Sequence, residues 1–313
     1  MAMATVLISG GTGLIGTALT KELLSRGYQV IILTREPQKA MNNRNGITYA
    51  GWNIKDQIID SEAVSKADYI VHLAGASVAG GRWTDKRKKE ILDSRVNSGK
   101  LLVKALQNIP NQVKTVISSS AIGWYGSDPQ VPNPKPFVED DKADESFLGS
   151  TCQQWEASIE PVSNLGKRLV KLRTGIVLSR EGGAYPEFEN PLNFGTAAIL
   201  GNGKQVISWI HILDLIHMYI EAIENEGWQG AYNAVAPNPV TNEQLVLTIA
   251  KESRRFYIPV HVPKFALRTI LGEMSIEVLK SATVSSRKVQ DADFLFMFPS
   301  IEAAVQNLNK KAS

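Results

Sequence analysis

The sequence predicts an α/β protein built on a parallel, doubly wound sheet, and three observations predict it. The chain opens on an apolar run, Thr5-Val6-Leu7-Ile8-Ser9, that enters a glycine cluster and leaves it in a helix-period pattern. Further apolar runs at Gln29–Thr34, Asp68–Ala76, Val113–Ser120 and Lys167–Leu178 alternate with helix-period stretches. Several of these runs end in small or polar residues, as strands do when a ligand lies beyond their carboxyl ends. Near-continuous apolar strands suit a parallel sheet covered on both faces, and repeated strand–helix units are what such a sheet requires.

The opening element carries the most information. Leu14, Ile15, Ala18, Leu19 and Leu23 form one helical side, and Gly27 is its stop signal. Gly10, Gly13 and Gly16 fit G-x-x-G-x-x-G, a spacing variant of the dinucleotide fingerprint. The first glycine permits a tight turn, the second lets a diphosphate approach bare backbone, and the third lets helix and strand pack closely. The helix N-terminus then offers free N–H groups and partial positive charge. Thr12 adds a hydroxyl. The plain alternative is a glycine-rich βα turn; the strand before it and the helix after it favour dinucleotide binding.

The second strand, Gln29–Thr34, ends in Thr34-Arg35-Glu36, with Lys39 nearby. A carboxylate there serves the ribose of NAD, whereas a basic residue accommodates the 2′-phosphate of NADP. Arg35 favours NADP(H); the alternative is a surface arginine with Glu36 on the ribose. Residues 47–52 read as a short third strand. Asp68–Ala76 is the fourth, and Leu73 and Ala74 at its end let a cofactor lie against the backbone. His72, inside that strand, reads as a buried, hydrogen-bonded histidine. A helix from about 85 to 107 carries an apolar stripe through Ile91, Leu92, Val96, Leu102 and Leu106. Arg95 flanks the stripe and points to the cleft or to water; Glu90 lies five residues earlier. The run Lys86-Arg87-Lys88-Lys89 reads as a solvated helical face.

The fifth strand ends in Ser118-Ser119-Ser120, followed by Ala121-Ile122-Gly123-Trp124-Tyr125-Gly126. Residues 127–146 read as a surface loop, and a helix follows over about 148–160. Lys167–Leu178 reads as one strand with Arg173 inside it. Beyond about Gly182 the rhythm changes. Gly201–Gln205 predicts a hairpin turn, Asp214 an N-cap for a helix over about 214–225, and Asn233–Pro237 the end of another strand. Thr241–Gln244 has capping chemistry, and Val262–Leu279 reads as one helical element. The alternating Phe294, Phe296 and Phe298 fill a core.

Composition narrows the functional classes. The 313 residues are 43% hydrophobic, enough for a large core. With 21% charged residues, a net charge of +3 and no long like-charge block, a nucleic-acid partner is not expected. The single cysteine, Cys152, forbids an internal disulfide and fits a reducing compartment. No apolar run approaches the ~18 residues of a membrane span, and the start has no signal-like pattern, so a cytoplasmic protein is expected. His211 and Asp214 lack metal-ligand spacing with other His or Cys residues, so no metal is expected.

Several motifs together resemble the extended and atypical short-chain dehydrogenase/reductase family, in its epimerase-like, NADP-binding branch. They are Gly-Gly-Thr-Gly-Leu-Ile-Gly at 10–16, Leu-Ala-Gly at 73–75, Arg-Trp at 82–83, Ser-Arg at 94–95 and Ser-Ser-Ser-Ala at 118–121. Trp-Glu at 155–156, Ser-Trp-Ile-His at 208–211 with Asp214, and Asn233 through Pro237 also match. The tail, with Pro263, Ala266-Leu267-Arg268, Gly272-Glu273-Met274 and Phe294 to Pro299, resembles that branch's C-terminal domain of unknown role. The resemblance spans nearly the whole chain. It implies a Rossmann domain with a seven-stranded parallel sheet over 1–180, joined by later strands from 205–236. It also implies a smaller C-terminal α+β substrate lobe over 181–313, with homodimers common among relatives. The cofactor contacts it implies are Thr12, Gly13, Leu14, Ile15, Thr34, Arg35, Leu73, Ala74, Glu90, Arg95 and Arg173.

The catalytic pair does not carry over. The wider family uses a serine near the fifth strand and a Tyr-x-x-x-Lys pair on the next helix. Here Cys152 and Glu156 hold those two helical positions. A glutamate in place of a lysine reverses the charge beside the acid. Ser120 remains to bond a substrate oxygen, and Tyr125 is the candidate replacement phenol. Cys152 and Glu156 share a helix face, either as a new acid–base pair or as a buried structural cysteine beside a paired glutamate. Two functions follow. One is an NADP(H)-dependent oxidoreductase or epimerase of a small carbonyl or nucleotide-sugar-like metabolite. The other is an NADP(H)-binding regulator or sensor that has lost turnover.

Overall fold

The computed structural model describes residues 4–37 and 46–310. In chain order the strands and helices are β1 (Thr5–Ser9), α1 (Leu14–Ser25), β2 (Gln29–Thr34), β3 (Ile47–Asn53), β4 (Ile58–Ile59), α2 (Ser61–Lys66), β5 (Tyr69–His72), α3 (Asp85–Asn108), β6 (Thr115–Ala121) and α4 (Phe147–Ile159). There follow β7 (Arg168–Thr174), β8 (Ile176–Ser179), β9 (Gly182–Gly183), α5 (Tyr185–Glu189), β10 (Thr196–Leu200), β11 (Val206–Ile207), β12 (Trp209–His211) and α6 (Ile212–Glu224). The chain closes with β13 (Gly230–Ala234), β14 (Val240–Thr241), α7 (Asn242–Glu252), β15 (Ile258–Val262), α8 (Lys264–Leu271), α9 (Met274–Val278), α10 (Arg287–Asp291) and α11 (Ile301–Asn309).

The main sheet has the order β13-β7-β6-β5-β1-β2-β3-β4. Seven of these strands run parallel, as expected, and the two-residue β4 adds an antiparallel edge. Residue alternation along the strands builds two cores. Val6, Ile8, Val30, Ile32, Val71 and Ile117 pack against α1 and α6 on one face. Leu7, Ile31, Leu33, Ile70 and Val116 pack with residues of α2 and α3 on the other. The chain winds outward from β1 through β2 and β3, then returns to place β5 on the other side of β1. That reversal opens a crevice at the carboxyl ends of β1 and β5, where ligands sit in such sheets.

A third core, with Tyr185, Trp209, Leu245, Ile249, Phe298 and Val305, belongs to the later part of the chain. Phe294 and Phe298 are buried while Leu295 and Met297 between them are exposed, as the aromatic alternation predicts.

The structure corrects four expectations here. Lys167–Leu178 is two strands in different sheets, broken at Gly175. There a Cβ would stand 2.5 Å from the Ser208 carbonyl oxygen, so only glycine lets the chain cross from β7 to β8. Gly201–Gln205 is a turn, with Gly203 N donating to Leu200 O (3.1 Å), but not a hairpin. β10 pairs in parallel with β15, and β11 pairs antiparallel with β14. The buried Asn242 Oδ1 accepts from Leu200 N at 2.8 Å, drawing the end of β10 towards α7. Asp214 does not cap α6. His211 does, its Nδ1 accepting from Leu213 N, while the buried Asp214 carboxylate accepts from Met297 N (2.8 Å) and Phe298 N (3.1 Å) and so pins the closing segment. Finally, Val262–Leu279 is not one helix. α8 and α9 are separated at Gly272, whose φ of 61° is in the region that favours glycine.

Candidate functional site

The glycine turn folds as its residues require. Gly10 has φ 73°, and a Cβ there would lie 2.9 Å from the Leu73 carbonyl carbon, so the turn after β1 touches the end of β5. At Gly16 a Cβ would fall 2.4 Å from Gly10 O, which fixes the close contact between α1 and the turn. Gly13 differs. Its φ is −80°, and the nearest atom to a Cβ there is Gly10 O at 3.4 Å, so glycine is not demanded by the protein's own packing. Gly13 is also the N-cap of α1, with no side-chain cap and no acidic residue in the first turn. The first N–H groups of a twelve-residue helix therefore face the crevice uncapped.

Around this turn stand the other expected cofactor residues. Thr12 is exposed, Leu14 and Ile15 are half-buried at the start of α1, and Leu73 and Ala74 line the end of β5. Thr34 ends β2, its hydroxyl accepting from Glu36 N, and Arg35 beyond it is exposed. Lys39 lies outside the described residues. Arg95 leans inward from α3, where its Nη1 donates to Ala76 O (3.0 Å) and Ile91 O (2.9 Å) and its guanidinium stacks on Trp155. Burial lowers its pKa. Glu90 is on the exposed side of α3, paired with Arg87 at 2.7 Å. The basic run is not simply solvated, since Arg87 also donates to Ser77 O and Lys88 pairs with Glu273.

Beneath the crevice, His72 bridges the end of β1 to α3. Ser98 Oγ donates to backbone carbonyls of α3, so it accepts from His72 Nε2 (3.2 Å), which leaves His72 Nδ1 to accept from Ser9 Oγ at 2.6 Å. Burial, with the Arg95 charge, lowers the pKa of this imidazole from 6.5 to about 4. In the unfolded chain the histidine protonates near 6.5; in the fold it resists until about 4. Stability is therefore lost as pH falls through that window, by about 3 kcal/mol in all. A His72→Gln variant is expected to show a shallower acid decline of Tm between pH 6.5 and 4 than the parent chain; equal slopes would refute the assignment.

The four expected catalytic residues gather at the ends of β6 and β7, about 10–14 Å across the sheet from β1. Ser120 and Glu156 bond each other, and Tyr125 is tied to Asn233 and Arg173, so these polar groups are engaged with internal partners. Arg173 donates through Nε to Glu156 Oε1 (2.8 Å) and through Nη2 to Glu156 Oε2 (3.1 Å). Ser120 Oγ donates to the same Oε1 at 2.7 Å, and Lys171 Nζ approaches Oε2 at 3.5 Å. Arg173 also donates to Glu139 O and to the Tyr125 hydroxyl, and lies 3.6 Å over the Trp124 ring. Burial alone would lower the Arg173 pKa; the hydrogen bonds and charge of Glu156 raise it instead.

The expected roles of these residues are thereby changed. Ser120 spends its proton on a carboxylate, so it does not stand ready to donate to a substrate carbonyl. Tyr125 is not a free phenol. It is fully buried, stacked on Phe137, and donates to Asn233 Oδ1 at 2.7 Å, while burial pushes its pKa up to about 12. Cys152 is buried, and burial together with the Glu156 charge raises its thiol to about 12, the opposite of an activated thiolate. Of the two readings of Cys152 and Glu156, the geometry matches the structural one. Arg173 faces Glu156 and Trp124. The sequence points to a paired Glu156 but does not name Arg173 as its partner, nor the Trp124 platform or the part of Asn233. Two opposite charges placed among apolar neighbours were the only signal for the pair.

Among the described residues no cluster of three or more His, Cys, Asp or Glu side chains is arranged to hold a metal. No helix among them is long and apolar enough to cross a membrane.

The chain is similar in sequence and in fold to known proteins. Residues 6–150 match the NAD dependent epimerase/dehydratase family, and residues 262–308 match a domain of unknown function, DUF1731. The chain is 35% identical over 305 residues to the epimerase family protein YfhF of Bacillus subtilis, covering 97% of each. It is similar to the crystal structure of human epimerase family protein SDR39U1 with NADPH, at TM-score 0.84 and 29% identity over 97% of this chain and 98% of that one. The nucleoside-diphosphate sugar epimerase of Corynebacterium glutamicum matches at TM-score 0.76 and 30% identity, over 98% of this chain and 58% of that one.

Proposed function

Because this chain belongs to the NAD dependent epimerase/dehydratase family, an NAD(P)-binding family, we propose that it binds NADP(H) and transfers hydride to or from a small polar carbonyl or nucleotide-sugar-like metabolite. The observation that carries the reading is the bare N-terminus of α1. Gly13 leaves open space where a side chain would otherwise fit, and the uncapped N–H groups are donors suited to a diphosphate. Leu73 and Ala74 would flank the dinucleotide, and Arg35 would take the 2′-phosphate. The relative solved with NADPH supports that choice of coenzyme. When bound, the nicotinamide supplies or accepts the hydride. The chain's own contribution is to orient the coenzyme between β1 and β5 and to shield the crevice floor from water.

One observation favours a second reading, an NADP(H)-binding protein without turnover of the usual kind. Ser120, Tyr125 and Glu156 are all committed to internal partners. A single experiment separates the two: NADPH fluorescence titration, followed by absorbance of the reduced nicotinamide and substrate isomerisation across a panel of carbonyl compounds and sugar nucleotides. Binding with neither signal favours the second reading. No binding at all removes both. Replacing Arg35 by Asp is expected to weaken NADPH by about 10- to 100-fold, the scale of charge-assisted phosphate contacts, with NADH little changed. Equal NADPH affinity would show that Arg35 does not read the 2′-phosphate.

A further inference from the structure

The segment α8–α9 is held in an unusual way. Its two ends are firm. On one side β15 pairs with β10 and Val262 O accepts from Gly201 N at 2.9 Å. On the other, the buried Asp128 carboxylate accepts from Ser281 Oγ, Thr283 N and Thr283 Oγ1, all within 2.9 Å. Between these anchors the grip is weak. Leu267 is the one buried hydrophobic among the described residues of the two helices. Phe265, Ile270 and Ile276 are 74%, 67% and 64% exposed, so these three side chains gain little from burial. Gly272, with φ 61° and ψ −137°, joins the helices in a conformation other residues avoid, which makes it a natural hinge.

Two polar contacts reach this segment from the stretch that runs from β5 into α3. Arg82 Nη2 donates to Thr269 O, and Lys88 pairs with Glu273. Both basic residues lie on the stretch that leaves the carboxyl end of β5 and enters α3, the same stretch whose Leu73 and Ala74 border the crevice. Lys88 also lies over the Phe147 ring, and Phe147 meets Trp83 edge-on at 5.1 Å between centroids. Phe147 is the first residue of α4, which carries Cys152 and Glu156. The polar contacts therefore sit on the rim where β5, α3 and α4 converge.

We propose that α8–α9 is a hinged lid over this crevice, latched shut by Arg82 on Thr269 and by Lys88 on Glu273. The proposal rests on the crevice being the coenzyme site. It makes the C-terminal segment the part that opens for exchange of the small molecule and closes over the loaded site. A latch of two solvent-side contacts suits such a motion. Pairs of this kind are weak and open readily, whereas a buried apolar contact would hold the lid shut.

Amide hydrogen exchange on the intact chain tests it. In the free protein, amides of 264–279 are expected to exchange faster than those of β15 and of 281–284. Lys88→Ala and Glu273→Ala are each expected to speed that exchange about two- to fivefold, and the swap Lys88→Glu with Glu273→Lys to restore it. NADPH is expected to slow exchange of 264–279 by about tenfold beyond any effect on the core. Core-like protection of 264–279 in the free chain, or latch variants that leave its exchange unchanged, overturns the lid. So does NADPH that binds, as seen by its fluorescence, without touching that segment. Should NADPH fail to bind, the coenzyme reading falls, and the two free-protein measurements still decide the latch.

Discussion

Gly13→Asp is expected to destroy NADPH binding while leaving the folded chain as stable as before or slightly more so. The two effects have one physical origin. At φ −80° and ψ 177° the backbone of Gly13 is already that of a helix N-cap, and a Cβ meets nothing closer than 3.4 Å. An aspartate fits, and its carboxylate accepts from the free N–H groups of the first turn, which stabilises the helix by a few tenths of a kcal/mol over glycine. Those are the same donors a diphosphate would use, and the carboxylate fills the same space with like charge. NADPH affinity should fall by at least about 100-fold, a change of about 2.7 kcal/mol. Titration of NADPH fluorescence beside a thermal melt reads both quantities. Undiminished affinity in a normally folded variant would place the diphosphate elsewhere. Gly16→Ala is the control of opposite kind: its Cβ would strike Gly10 O at 2.4 Å, so stability and binding should fall together.

The contrast among these glycines shows what a single sequence reveals. The spacing of Gly10, Gly13 and Gly16 predicts the turn, because the strand and helix around it are local and strongly periodic. The parallel order of the main sheet is legible for the same reason, since each unit is a strand followed by its own helix. What is not legible depends on distant pairing. Nothing local to Thr196–Leu200 says that its partner is Ile258–Val262, and nothing in Lys167–Leu178 short of Gly175 says that one apolar run serves two sheets. Asp214 has N-cap chemistry, but His211 three residues earlier takes the cap, and the carboxylate holds residues more than eighty positions away. The candidate site divides along the same line. The half proposed for the coenzyme rests on short local motifs at the ends of β1, β2 and β5, each of which can be read by itself. The other half is built from β6, α4 and β7, where Ser120, Glu156 and Arg173 meet only in the folded chain.

That meeting sets the largest expected effect on stability. Glu156→Ala is expected to destabilise the chain by about 3–5 kcal/mol, because it strands the buried Arg173 guanidinium without its carboxylate. The loss exceeds what the pair itself contributes. Glu156 accepts two hydrogen bonds from Arg173 and one from Ser120, and all three donors would be left buried and unmet. For a chain of this size the thermal midpoint should drop by about 5–8 °C. Glu156→Gln keeps the shape and an acceptor oxygen but turns an NH2 group towards Arg173, so it should recover only part of the loss. The double variant Glu156→Met with Arg173→Met is the decisive arm. Removing both charges and filling the space with apolar side chains should restore most of the stability, since desolvating an ion pair costs nearly what its attraction returns. If the double variant is as unstable as Glu156→Ala, the cost comes from lost packing against Trp124 and Tyr125 and not from a stranded cation. The same variant also tests whether the cluster takes part in coenzyme binding. If NADPH still binds a chain whose Glu156 and Arg173 are both methionine, the cluster serves the fold at the ends of β6 and β7. If binding disappears while the melt stays near that of the parent, the pair belongs to the coenzyme's side of the crevice.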